Sequence, residues 1–260
     1  MQKQKTVVIL SDLHCGHLAG LTPPQNFVNK KDLPQLYSLQ DEMWRRYVGL
    51  VKKYKNPDLL ICNGDAIDGK GDKTGGTELI TTDRIKQSNI ASYCLDIFCA
   101  KKIIMTYGTP YHTGKGEDYE TNVAKNLGCE IHNHAQIDVN GCVLDIKHHC
   151  GGSAVPYGRH TAPAKERLWN LLWEDADSCV RANIIIRSHV HFYNFCGGND
   201  WLAFTTPALQ APSHNKYGGR RCSGIIDWGI VVLNIDNKGD YRWQTEIVRL
   251  ESARAELIRV

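Results

Sequence analysis

Five short polar clusters recur along the chain, each placed after a run that reads as a buried strand. They are Asp12-Leu13-His14, Gly64-Asp65, Gly108 to His112, His148-His149 and His189-Val190-His191. The first of these runs, Thr6 to Leu10 (TVVIL), is short, β-branched and without alternation, which is the pattern of a strand covered on both faces. Runs of the same kind end at the other clusters. Such strands need helices or a second sheet on either side, so the chain is constrained to a layered fold with its polar groups gathered where the strands stop. Together the clusters hold two carboxylates and six imidazoles. A hydrophobic core has no use for so many ionisable groups at strand ends, whereas a pair of divalent metal ions does.

The segments between the clusters complete the layers. Leu39 to Tyr54 carries Met43, Tyr47, Leu50 and Val51 at helical spacing, and Thr82 to Ala100 and Asp118 to Leu127 read as further helices. With strands at Asp58 to Cys62 and Lys102 to Tyr107, the order β-α-β-α-β-α predicts parallel pairing. Residues 16–37, rich in Gly, Pro and Asn, read as a long loop of functional use, either a lid or an interface. Residues 69–76 read as a Gly/Lys loop. Beyond residue 129 the texture changes. Ile137 to Val139 and Val143 to His148 flank Asn140-Gly141, a strong type I′ hairpin signal. Thr161 to Cys179 predicts a helix with Pro163 in its first turn, and Ile184 to Arg187 a strand. Residues 191–206, 225–235 and 241–248 read as antiparallel strands, with a turn from Asn234 to Gly239. No repeat, low-complexity stretch or linker interrupts the pattern. The expectation is one α/β domain over residues 1–260, a four-layer α-β-β-α sandwich of two mixed β-sheets flanked by helices.

Composition narrows the function classes. The 260 residues are 42% hydrophobic and 23% charged, enough for a sizeable core, and the net charge of +3 gives no concentrated basic stripe for a pure nucleic-acid-binding module. None of the ten cysteines has CxxC spacing, so a structural zinc site is not expected. The first residues lack a secretory h-region and no stretch is long and apolar enough to cross a membrane. The cysteines are therefore read as reduced thiols of a cytoplasmic protein.

Asp12 and His14 lie two apart, so on an extended chain both point the same way toward one metal. Gly64 lets the backbone bend before Asp65, and carboxylates at strand ends sit where open α/β sheets bind ligands. Asp68 repeats the charge and reads as a solvated group or one that orients a ligand, the former being favoured. His189 and His191 form a second strand-end pair, and neutral imidazole suits zinc, manganese or iron. Of His148 and His149 only one is expected to bind, since neighbours on a strand face opposite sides, and His148 is favoured.

In order and type, Asp12-Leu-His14, Gly64-Asp-Ala-Ile-Asp68, Gly108-Thr-Pro-Tyr-His112, His148 and Ser188-His-Val-His191 resemble the motifs DxH, GDxxD, GNH[DE], H and GHxH of the calcineurin-like metallophosphoesterase superfamily. The resemblance spans roughly residues 5–206. It implies two divalent ions, manganese first and zinc, iron, magnesium or nickel as alternatives. One would be held by Asp12, His14, Asp65 and His191, the other by Asp65, His148, His189 and a group from the third motif, with Asp65 bridging. Two departures stand out. Ser188 replaces a glycine, and Thr109 stands where the family has its asparagine, with His112 two residues late. Either Thr109 or a water takes the asparagine's place, or His112 reaches the metal itself. With Asp65, His112 is the expected catalytic group.

Thr109 and Arg159 are the expected substrate contacts. Other basic loop residues are His17, Lys70, Lys73, Lys115, His160, Arg220 and Arg221, and arginine suits phosphate because its planar fork donates two hydrogen bonds. Tyr111, Tyr157, Trp201 and Tyr217 are candidates for base stacking, and most of them are read as packing residues. The expected activity is hydrolysis of phosphate esters, with a lean to a phosphodiesterase acting on nucleotides or nucleic acid. The alternatives are a phosphomonoesterase or protein phosphatase, and a catalytically impaired scaffold.

Overall fold

The computed structural model describes residues 3–72, 74–113, 118–153, 155–212, 226–250 and 258. Lys73, Lys115, Tyr217, Arg220 and Arg221 lie outside the described residues. The strands are β1 (Lys5–Leu10), β2 (Leu59–Asn63), β3 (Ile103–Thr106), β4 (Glu130–His132), β5 (Ala135–Val139), β6 (Cys142–Ile146), β7 (Ile184–Arg187), β8 (Asn194–Gly197), β9 (Leu202–Thr205), β10 (Trp228–Ile235) and β11 (Tyr241–Val248). The α-helices are α1 (Pro34–Lys53), α2 (Arg84–Asp96), α3 (Pro110–Thr113), α4 (Glu120–Leu127) and α5 (Thr161–Asp175). One sheet runs β11-β10-β1-β2-β3-β4 and the other β5-β6-β7-β9-β8, and both are mixed.

The unbroken apolar runs are explained by what covers them. Val7 and Ile9 of β1 face the second sheet, in a core shared with Leu144, Ile184, Ile186 and Phe204. Val8 and Leu10 face the other way, against Met43 and Tyr47 of α1 and Ile90 and Leu95 of α2. A strand buried on both faces cannot alternate. On the outer side of the second sheet, α5 packs across β7, β8 and β9. The result is the expected four-layer sandwich. β1, β2 and β3 pair in parallel, as the β-α-β order predicted. The hairpin at Asn140-Gly141 forms with both residues left-handed, at φ 56° and 88°.

Several boundaries differ from expectation. The first helix starts at Pro34, five residues before Leu39, because proline fits the first helical position. The strands at 194–197 and 202–205 pair with each other antiparallel, but β9 runs parallel to β7. The loop after β1 contains a 3-10 turn at Pro24–Asn26. Its first half is no free lid, for Ala19 and Leu21 are core residues. Its backbone is held by bonds such as Leu21 N to Leu13 O (2.8 Å) and Ala211 N to Ala19 O (2.8 Å). Short β4 and α3 had no periodic signal in the sequence. No helix of the described chain is long and apolar enough to cross a membrane.

Candidate metal centre

The turns after β1, β2, β3, β6 and β7 come together at one edge of the sandwich, and three overlapping groups of possible metal-holding side chains lie there, one of them His14, Asp68 and His112. Asp12, His14 and His191 form a second and Asp65, His148 and His189 a third, with the donor atoms of each group within 4.8 Å of one another. Asp65 lies between the last two: its Oδ2 is 3.0 Å from His148 Nε2 and 4.0 Å from His14 Nε2.

The local backbone is unusual at these positions. Asp12 (φ 50°), His14 (46°), Asp65 (50°), His189 (75°) and His191 (57°) are all left-handed, a conformation that disfavours side chains other than glycine's. Asp12 and His14 therefore converge through a strained turn and not, as expected from spacing, along an extended strand. Gly64 (φ 82°) is needed for a second reason, because a Cβ there would overlap the His148 ring. A Cβ on Gly108 would likewise overlap Asp65. Clustered strain of this kind persists where the surrounding structure over-determines it, and active sites are a usual place for it.

Hydrogen bonds set the direction of the ring nitrogens. His14 Nδ1 lies 2.9 Å from Asp68 Oδ1, and His148 Nδ1 lies 2.8 Å from the carbonyl of Asn63. In the neutral imidazole each Nδ1–H donates outward, leaving the Nε2 lone pair directed into the centre. His14 Nε2 and His191 Nε2 face each other at 3.2 Å. Asp12 Oδ1 and His148 Nε2 are buried without an aligned hydrogen-bond partner, although His191 Nε2 is 3.2 Å from the former and Asp65 Oδ2 3.0 Å from the latter. Imidazole nitrogens and carboxylate oxygens that converge on one another in a buried cluster are the donor set a cation would satisfy, so the residues fit divalent metal ions.

Without a cation, the buried carboxylates and imidazoles shift one another. Burial opposes ionisation of Asp12, yet His191 and His148 hold its carboxyl down at about 2. Asp65, also opposed by burial, is held well below the usual carboxylate range by His148, His112 and His14. Against the effect of burial, Asp65 and Asp12 push His148 up to about 10. Burial lowers His14 and His189, the latter with help from His148.

The remaining expected residues separate into those brought to the centre and those left out. His112 is there: its ring centroid is 4.6 Å from that of His14 and its Nδ1 is 2.9 Å from Asp68 O. It joins His14 and Asp68, not the group around His148. Thr109 donates its N–H (2.7 Å) and its hydroxyl (2.9 Å) to the Asp65 carboxylate. His149 is exposed, its ring 4.9 Å from that of His189 and tilted to it by 33°. Arg159 lies 4.2 Å over the ring of Phe192, next to His191, with Nε buried and unpaired. His17 is not a loop cation but a packed residue, 3.5 Å from Glu78 and accepting from Ala19 N. Lys70 and His160 are exposed. Tyr157 is 86% exposed and so not a packing residue, whereas Trp201 packs on Ala203 and Ile185. Tyr111 stands edge-on to His112 at 4.8 Å.

Three buried residues matter beyond the expectation. Asp68 is not solvated: it is buried and fixes His14. Glu120 is fully buried, and its two oxygens accept from Ala66 N and Gly108 N, both at 2.7 Å, tying the turn after β2 to the turn after β3. Burial and the charge of Asp65 push its carboxyl up to about 8. Asn63 links the two sheets by donating to Ser188 Oγ (2.7 Å), and within its own sheet it accepts from Thr106 Oγ1 (2.9 Å). The GDxxD spacing is the one signal that could have raised Asp68.

No protein-family model matches the chain and no curated protein sequence matches it. Solved structures similar to it include Vacuolar Protein Sorting 29 from Cryptosporidium parvum (TM-score 0.49, 10% identity, 96% of this chain and 100% of that one). A novel archaeal phosphodiesterase is also similar (0.44, 15%, 92% and 99%), as is a predicted phosphoesterase from Streptococcus pneumoniae (0.37, 10%, 95% and 100%). At these TM-scores the likeness is too loose to carry activity or partners from those proteins to this one.

Proposed function

We propose that this chain, with the layered fold expected of the calcineurin-like metallophosphoesterases, is a single-domain, metal-dependent phosphodiesterase that hydrolyses phosphate esters of nucleotides or nucleic acid. The observation that supports the reading best is the placement of Asp65 between two groups of inward-facing donors, Asp12, His14 and His191 on one side and His148 and His189 on the other. Two divalent cations, manganese first, would be held by these residues and would supply the Lewis acidity that activates water and neutralises phosphoryl charge. The rest of the chemistry belongs to the chain. Asp65 shares its carboxylate between the groups, and Thr109 fixes that carboxylate from outside. Asp68 holds His14 in the tautomer that presents Nε2. His112, anchored through Nδ1 to the Asp68 carbonyl, gives a proton to the leaving oxygen. Arg159 directs its fork to a non-bridging phosphate oxygen. Tyr111 and Phe192 beside the centre favour an ester with an aromatic base. The nine described cysteines are unpaired, which fits a cytoplasmic setting.

The test is hydrolysis of a generic phosphodiester and a generic phosphomonoester by metal-stripped protein, with manganese restored and bound metal counted. Diester cleavage with about two metals per chain supports the proposal. Faster monoester cleavage moves it to a phosphomonoesterase, and no cleavage with one metal or none leaves a scaffold. His112→Ala is expected to keep its metals and lose roughly 10²–10⁴-fold in turnover; loss of a metal equivalent would make His112 a ligand.

A further inference from the structure

Helix α5 is amphipathic the wrong way round for a monomer. The side facing the second sheet is polar: Arg167 donates to the Ala182 carbonyl (2.9 Å), Asn170 accepts from Ala182 N (3.0 Å), and Glu166 accepts from Arg187 (2.7 Å). The opposite side carries Leu168 (56% exposed), Trp169 (49%), Leu171 (37%) and Leu172 (47%). At about 100° per residue these four occupy one continuous arc. A contiguous apolar face in water on an ordered helix marks an interaction surface.

The arrangement along that face says what covers it. A two-fold axis crossing the helix face at the level of Asn170 sets Leu168 of one copy opposite Leu172 of the other, Trp169 opposite Leu171, and Lys165 opposite Asp175. Two copies of α5 laid antiparallel would therefore place apolar residues at the centre and an opposite-charge pair at each end, which is the self-complementarity an isologous dimer needs. Lys165 and Asp175 are both exposed, and among the described residues neither makes an ion pair. Their order also opposes the helix dipole, which favours acids near the start and bases near the end. The helix gains nothing from this order by itself, whereas an antiparallel partner does.

We propose that the outer face of α5 is the two-fold interface of a homodimer, with Leu168, Trp169 and Leu172 at its centre and Lys165 of each copy paired with Asp175 of the other. One helix face is small beside the ~800 Å² per partner of a standard interface, so dissociation in the micromolar range is expected.

Sedimentation of the full chain over a concentration series tests this, with circular dichroism confirming that each variant stays folded. The expected result is a shift from 29.2 kDa to twice that mass. Combining Leu168→Glu with Leu172→Glu should leave monomer at every concentration, a loss of more than about 100-fold in affinity, since it gathers four like charges on the axis. Lys165→Glu alone should weaken the dimer roughly tenfold, and combining it with Asp175→Lys should restore it to within about threefold. The proposal is overturned if the wild-type chain stays monomeric at ~100 µM, the concentration at which a micromolar dimer is mostly formed. It is also overturned if the double leucine variant still dimerises, or if the charge swap fails to restore what Lys165→Glu removes.

Discussion

Two buried clusters of charge meet at the end of β7, and they are balanced by different means. In the first, Arg187 is fully buried, with Nη2 2.7 Å from Asp145 and Nε donating to Glu166 at 2.7 Å. Lys147 adds a second cation 3.1 Å from Glu166, and His134 stands 3.0 Å from Asp145. Two residues further on, at His189, the second cluster begins. There the ion pairs that Asp12, Asp65 and Asp68 make among the described residues are all to histidine, a cation only when protonated. A charge cluster that serves the fold brings its own lysine or arginine. On the proposed function, the second cluster leaves the place of its cation to metal ions.

The sharpest way to break this contrast is Asp65→Asn. Saturating manganese should stabilise the wild-type chain, by about 4 kcal/mol at a thousand times Kd. The variant should lose that gain together with more than the ~10–100-fold in metal affinity typical of an outer-shell change. Thermal melts with and without metal decide it; an undiminished metal shift in the variant would show that Asp65 holds no ion. Arg187→Met attacks the other cluster. Removing one partner of a buried pair costs about 3–5 kcal/mol, so urea unfolding of the metal-free protein should move by that amount. A change under about 1 kcal/mol would mean the network carries no structural load.

Glu120→Gln tests the boundary between the two kinds of cluster. Its amide would turn a donor toward one of two backbone N–H groups, loosening the turn that carries Asp65. Calorimetric titration with manganese should show roughly 10–100-fold weaker binding, and wild-type affinity would make Glu120 purely a folding residue. The smallest effect is the acid limb. Burial would raise the Asp145 and Glu166 carboxyls, but His134 and Arg187 hold the first below its ordinary value and Arg187 and Lys147 hold the second. Depressed carboxylates contribute stability that is complete above the unfolded values of about 4 and is lost as pH falls through the lower folded ones. Stability of the wild-type chain should therefore decline below about pH 4, by about 1.4 kcal/mol per pH unit for each proton taken up, and Arg187→Met should show a shallower slope.

Much of this was legible in the sequence, for a physical reason. Strand ends are where period and burial stop together, so Asp12, His14, Asp65, His148, His189 and His191 stood out as ionisable groups in places a core would not put them. The side chains that position them did not stand out. Glu120 acts on Ala66 from 54 residues away, and nothing local distinguishes it from any acid opening a helix. His17 was misread because a buried loop satisfies its polar groups through partners that only the fold supplies. On α5, leucine spacing alone would have turned Leu168, Leu171 and Leu172 inward; the side that packs is the one whose polar groups find carbonyls and Arg187.

The left-handed backbone at residues 12, 14, 65, 189 and 191 has a consequence for how such a centre would decay. Each of these positions holds a side chain in a conformation that costs roughly 1–2 kcal/mol and that glycine adopts freely. Replacement by glycine at any of the five would relieve that strain but would also remove a side chain packed and paired inside the cluster, a loss of about 3–5 kcal/mol where the pair is buried. This chain keeps aspartate or histidine at every one of them.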